Sequence, residues 1–164
     1  MQETKTAENL MTAFAGESQA NRKYLAYAKK AEAEGKNNVA KLFRATAEAE
    51  TIHAHKEFEL AGMVNSTEEN LQAAIDGETY EYKDMYPGFM EDAQKEGEKA
   101  AVAAFSYALQ AEEVHAKLFQ NALDNPNESE EVFYYLCPVC GNIEKAVPDR
   151  CRICGVPGAK FIKY

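Results

Sequence analysis

The sequence predicts an all-α protein, an up-and-down four-helix bundle, with a small four-cysteine module at its C-terminal end. Three observations predict it. Residues 1 to about 123 are rich in Ala, Glu, Lys, Leu and Gln and keep a helical hydrophobic period almost throughout. That segment contains a duplication. Glu34-Gly35, Phe43, Ala49-Glu50 and His53 recur 62 residues later as Glu96-Gly97, Phe105, Ala111-Glu112 and His115. All four Cys fall in the last 33 residues, as two CxxC pairs.

Each element has its own signals. A first helix runs from near Thr6 to Glu34 and stops at Gly35, a residue suited to a left-handed position past a helix end. A second starts after Asn37-Asn38, expected as N-caps, and ends at Gly62. A third opens on Ser66-Thr67-Glu68-Glu69, which has capping-box spacing, and reaches Glu96-Gly97. Pro87 should kink it or break it in two. The fourth runs from Glu98 to Leu123. Short connections make these helices antiparallel neighbours. Residues 124–131 (DNPNESEE) read as a polar linker, so the domains are expected to be 1–131 and 132–164.

Composition excludes several functions. Eighteen basic residues face twenty-seven acidic ones, a formal charge of −9, which argues against nucleic acid or an anionic membrane as partner. No window approaches the roughly 18 apolar residues of a membrane span. Met1-Gln2-Glu3-Thr4-Lys5 lacks the pattern of a secretory signal, so a cytoplasmic protein is expected. In a reducing compartment, paired CxxC motifs read as a metal site rather than as disulfides.

Charge also sits where core should be. Stepping three and four residues, the inward stripe of the second helix passes through Val39, Phe43, Thr46, Glu50 and His53. That of the fourth passes through Val102, Phe105, Leu109, Glu112 and His115; the first contributes Glu17 and Tyr24, the third Glu78, Glu81 and Met85. Five carboxylates in one core without cations are not credible. Two divalent ions would leave the centre nearly neutral. Glu-x-x-His sets both side chains on one helical face, and two such pairs plus carboxylates from the other helices form a two-metal donor set. Oxygen-rich ligation with two imidazoles suits iron or manganese. His55, Glu32, Glu34, Glu57, Glu59 and Glu113 are expected as surface or rim charges. Tyr24 and Tyr86 are candidates to hydrogen-bond a ligand carboxylate, with core packing the competing reading.

The C-terminal module carries Cys137-Pro138-Val139-Cys140-Gly141 and Cys151-Arg152-Ile153-Cys154-Gly155, two knuckles with Gly after each second Cys. By geometry four thiolates fit zinc or a single iron equally well.

Taken together, the two halves resemble rubrerythrin over essentially the whole chain. The carriers are Gly16-Glu17-Ser18-Gln19-Ala20-Asn21, Glu50-Thr51-Ile52-His53, Glu78-Thr79-Tyr80-Glu81-Tyr82, Glu112-Glu113-Val114-His115 and the knuckle at Cys137. The resemblance implies a ferritin-like di-iron bundle and a rubredoxin-like domain. Its di-iron ligands would be Glu17, Glu50, His53, Glu78, Glu81, Glu112 and His115, with His53 and Glu81 exchanging as donors between redox states. It implies iron rather than zinc at Cys137, Cys140, Cys151 and Cys154. The ten residues between Cys140 and Cys151 are fewer than is usual in the family.

The implied function is a non-haem iron peroxidase reducing hydrogen peroxide to water in oxidative-stress defence. Electrons would pass from the four-cysteine iron to the di-iron centre. No Gly-x-Gly-x-x-Gly occurs, so reducing power must come from a partner, in the family a rubredoxin or an NAD(P)H-linked reductase. The eight-residue linker reaches at most ~28 Å. The module is therefore expected far from its own centre, and a head-to-tail homodimer is implied. Two other classes stay open: an iron-storage cage, opposed by the four-cysteine tail, and an inert zinc-ribbon scaffold, opposed by the seven inward donors.

Overall fold

The computed structural model describes residues 4–126 and 131–164, so part of the expected 124–131 linker lies outside the described residues. The chain divides into two compact units, one ending at Asn65 and one running Ser66–Tyr164.

The first unit is a helix pair. Helix α1 (Lys5–Ala33) begins where the Thr4 hydroxyl accepts from the Ala7 amide at 3.2 Å. It ends in a Schellman motif. Gly35, at φ 72°, donates to Glu32 and Lys36 donates to Ala31. Helix α2 (Asn37–Leu60) starts two residues earlier than its Asn pair suggested. Lys36 is the N-cap and makes no side-chain cap, so Asn37 and Asn38 lie in the first turn.

The most buried row of α2 is Ala40, Ala47, Ala54 and Ala61, spaced by seven, rather than the Val39–His53 stripe. Small side chains at that period let two helix backbones approach closely, and Ala28 and Ala31 of α1 are buried too. Val39, on the expected stripe, is 43 % exposed. Asn21 ties the pair together, donating to the Ala47 carbonyl at 2.7 Å and the Thr51 hydroxyl at 2.8 Å.

In the second unit, α3 (Thr67–Tyr80) opens with the full Ser66/Glu69 capping box. A π-turn, Glu81–Met85, leads into α4 (Tyr86–Glu96). Pro87 sits in the first turn of α4, where its missing N–H costs little. The irregularity lies in the π-turn before the proline, with helical backbone carried through. Helix α5 (Lys99–Asp124) follows Gly97, at φ 78°.

The duplication is structural. Tyr24, Tyr27 and Phe43 form a ring cluster with centroids 5.6–6.3 Å apart. Tyr86, Phe89 and Phe105, each 62 residues on, form the same cluster at 5.7–6.2 Å.

The second unit ends in a three-stranded antiparallel sheet of order β2-β1-β3, from β1 (Tyr135–Leu136), β2 (Ile143–Glu144) and β3 (Ile162–Lys163). Gly158 closes the loop beneath it. A Cβ there would lie 1.7 Å from the Pro148 carbonyl oxygen, so only glycine fits.

Candidate metal centre

Among the described residues three donor clusters form, and each lies within one unit. In the first unit Glu17 on α1 meets Glu50 and His53 on α2. In the second, Glu78 on α3 meets Glu112 and His115 on α5. Within each cluster the potential ligand atoms lie within 4.8 Å of one another. The i, i+3 spacing on α2 sets His53 Nδ1 at 3.0 Å from Glu50 Oε2; on α5 it sets His115 Nδ1 at 2.6 Å from Glu112 Oε2.

Negative charge is uncompensated in both clusters. The hydrogen bond that Glu17 shares with Glu50, which favours its protonated form, then burial and nearby carboxylates, raise the Glu17 pKa. Burial first, then the Glu112 charge, pushes Glu78 up to about 7, and Glu81 rises for the same two reasons. In each cluster carboxylates stand close enough to oppose one another's charge, a cost that a bound cation relieves. That donor chemistry fits divalent metal binding.

His115 is held from both sides. Nδ1 faces Glu112 and, at 3.7 Å, Glu78, while Nε2 lies 2.9 Å from the Gly141 carbonyl oxygen. A carbonyl only accepts, so Nε2 carries the proton and Nδ1 is left as the donor to a metal. Burial opposes protonation of the ring, but Glu112 and the Gly141 carbonyl outweigh it and raise its pKa. A largely apolar cavity of about 450 Å³, lined by Leu71, Phe119, Leu136, Ile143 and Tyr164, adjoins this imidazole.

The module therefore packs against α5 of its own chain, beside His115. The remote placement expected from linker reach is corrected here: the Gly141 carbonyl meets His115, and Gly141 lies against Ala111 of α5.

Glu81 is set by the π-turn. Glu17 and Tyr24 are seven residues apart, whereas Glu78 and Tyr86, their partners in the duplication, are eight apart. The second half has one extra residue, absorbed where the helix widens at Glu81–Met85. Glu81 has no carboxylate counterpart in α1. The mismatch between an offset of 61 at Gly16/Gly77 and 62 at Tyr24/Tyr86 is the signal that could have located it.

Other candidates divide. Tyr86 lies among the carboxylates, its pKa raised by burial and then by Glu81, Glu112 and Glu78. Tyr24 packs on Phe43 at 6.1 Å, the core role. His55, Glu32, Glu34 and Glu59 are exposed as expected, and half-buried Glu113 pairs with Lys117. Glu57 is not a free rim charge. Its Oε2 is closed to solvent without a partner among the described residues, and its charge adds to the rise in Glu17. Asn21 was missed. It pins the carbonyl one turn before Glu50 and so fixes that donor's helix against α1.

The four Cys sulfurs converge as free thiols. Cys137 and Cys154 sulfurs are 3.5 Å apart, as are those of Cys140 and Cys151. A metal with ~2.3 Å bonds to four thiolates needs an edge of about 3.8 Å, so the cradle fits with little adjustment. Burial pushes the Cys140 thiol up. Burial also opposes ionisation of Cys151, but backbone N–H groups of Cys154 and Ile153 bring it down to about 7.

The family model for rubrerythrin matches residues 8–123. The chain is 41 % identical to Rubrerythrin-2 of Clostridium acetobutylicum over 95 % of both chains. It is 38 % identical to nigerythrin of Nitratidesulfovibrio vulgaris over 97 % of this chain and 86 % of that one. The solved mixed-valence structure of nigerythrin aligns over 100 % of this chain and 91 % of that one, with TM-score 0.60 and 38 % identity. The all-α four-helix class with a rubredoxin-like four-cysteine module is therefore the fold of this protein. The chain belongs to the rubrerythrin family, di-iron proteins associated with oxidative-stress defence.

Proposed function

We propose that this protein is a non-haem iron peroxidase. Glu17, Glu50, His53, Glu78, Glu81, Glu112 and His115 hold two irons, and Cys137, Cys140, Cys151 and Cys154 hold one. When bound, iron supplies the electron chemistry: single-electron storage at the four thiolates, and H2O2 + 2 H⁺ + 2 e⁻ → 2 H2O at the carboxylate and histidine donors. Residues 1–131 form the di-iron domain and 132–164 the electron-relay domain. The electron donor is a rubredoxin or an NAD(P)H-linked reductase, and two copies of the chain associate head to tail in the cytoplasm. No helix among the described residues is long and apolar enough to cross a membrane.

The observation that carries this reading is the bond from His115 Nε2 to the Gly141 carbonyl. That carbonyl belongs to the residue directly after Cys140, so a single hydrogen bond joins the two donor sets. An inert zinc ribbon has no need of such a bridge. The chain's own groups serve the reaction in other ways. His115, bonded through Nε2 to the Gly141 carbonyl, keeps Nδ1 turned toward Glu112 and Glu78. Leu71, Phe119 and Leu136 line the apolar cavity beside His115.

The test is a visible spectrum of iron-loaded protein together with peroxide consumption. Thiolate-to-iron bands, about three irons per chain and peroxide turnover driven by reduced rubredoxin are expected. Cys137→Ala should abolish the bands. A colourless protein with one zinc and no turnover would overturn the reading.

A further inference from the structure

The two cysteine knuckles repeat one backbone pattern. The Cys137 amide donates to the Asn142 carbonyl and the Cys151 amide to the Val156 carbonyl, both at 2.8 Å. The backbone N–H of Asn142 reaches the Cys140 sulfur, and that of Val156 reaches Cys154. Val156 meets every backbone requirement of its position with an apolar side chain. An amide at Asn142 is therefore not needed to build a knuckle.

That amide is completely buried. Its Nδ2 donates to Glu144 Oε1 at 2.8 Å and lies 3.8 Å from Cys151 Sγ. Its Oδ1 is closed to solvent and has no partner among the described residues. Arg152 Nε holds the same Glu144 oxygen at 3.1 Å. Turning the amide over would set its oxygen against a carboxylate and a sulfur, so the two acceptors fix the NH2 group toward them. The fold tolerates an orphaned acceptor in order to keep a donor beside one metal-binding sulfur.

We propose that Asn142 is a positioning residue that raises the reduction potential of the four-cysteine site, with Glu144, anchored by Arg152, aiming its N–H at Cys151 Sγ. The proposal rests on the reading of that site as a redox iron. Reduction adds one negative charge, spread over the sulfurs, so an N–H donor stabilises the reduced form more than the oxidised one. The backbone bonds of Asn142 and Val156 match in the two knuckles, so the amide side chain is what the first position adds.

The experiment is a redox titration of the full-length, iron-loaded protein, followed at the thiolate-to-iron absorption. Asn142→Ala should lower the potential. Glu144→Ala and Glu144→Gln both remove the carboxylate charge, so they are compared with each other. Glu144→Gln should hold the higher potential, because its carbonyl oxygen still accepts while Ala leaves the amide free to turn. If Asn142 merely fills space, its removal would admit water to the sulfurs and raise the potential; a raised or unchanged value overturns the proposal. Should Asn142→Ala fail to load iron, equal potentials for Glu144→Ala and Glu144→Gln would overturn it. A parent chain without the absorption would instead overturn the iron reading itself.

Discussion

The imidazole of His115 donates from Nε2 to the carbonyl oxygen of Gly141 at 2.9 Å, joining the Glu-x-x-His pair of α5 to the first cysteine knuckle. Gly141 takes φ 82°, and a Cβ there would touch Ala111 on α5 at 3.9 Å. The carbonyl is presented to His115 by a backbone turn that glycine adopts without strain.

Because this bond lies within one chain, complementation has a defined pattern. A mixture of Cys137→Ala and His115→Ala chains should stay inactive even after subunit exchange, since each second unit then lacks one end of the bridge. A mixture of Cys137→Ala and Glu50→Ala chains should regain activity if copies associate head to tail. Peroxide consumption by the mixtures, with exchange verified by mass spectrometry, checks both.

Removing metal should make stability depend on pH in a set direction. Glu78 sits near 7 instead of 4.5, Glu17 and Glu81 are raised, and so is His115. A group whose pKa is raised by folding contributes stability below its unfolded value and loses it as pH rises through the folded value. The metal-free protein should therefore melt higher at pH 5 than at pH 8. Metal loading at pH 8 should raise Tm, since the ions bind only the folded donors. Equal Tm for loaded and metal-free protein at pH 8 would reject the donor assignment.

His53 and Glu81 should respond oppositely to redox state. Glu81 occupies the extra turn with no counterpart in α1, and the His53 side chain is the most exposed of the paired donors, at 58 %. An anionic donor suits the more positively charged oxidised site and a neutral imidazole the reduced one. His53→Ala should spare the oxidised spectrum, alter the reduced one and slow turnover. Glu81→Ala should alter the oxidised spectrum first. Identical effects would leave His53 a permanent ligand matching His115.

Gly158→Ala should damage the module alone. The new methyl meets the Pro148 carbonyl at 1.7 Å and Val147 at 3.1 Å. Relief demands backbone movement, at a cost of about 1–3 kcal/mol. Lower occupancy of the four-cysteine site, with helix content by circular dichroism unchanged, is the expected result.

The sequence by itself determined the helices, their ends at Gly35, Gly62 and Gly97, the capping box at Ser66, the duplication and the donor types. Each of these depends on local periodicity, on φ preference, or on the cost of burying charge. Tertiary structure decided what depends on packing between elements. The buried row of α2 is its alanines, because close helix approach rewards small side chains at every second turn, a signal that a stripe of large apolar residues conceals. The one-residue insertion became a π-turn ahead of Pro87 rather than a kink at it, since the helix kept its packing on both sides by widening one turn. The module lies on its own α5 beside His115, because linker length sets only an outer limit and contacts such as the His115–Gly141 bond choose within it.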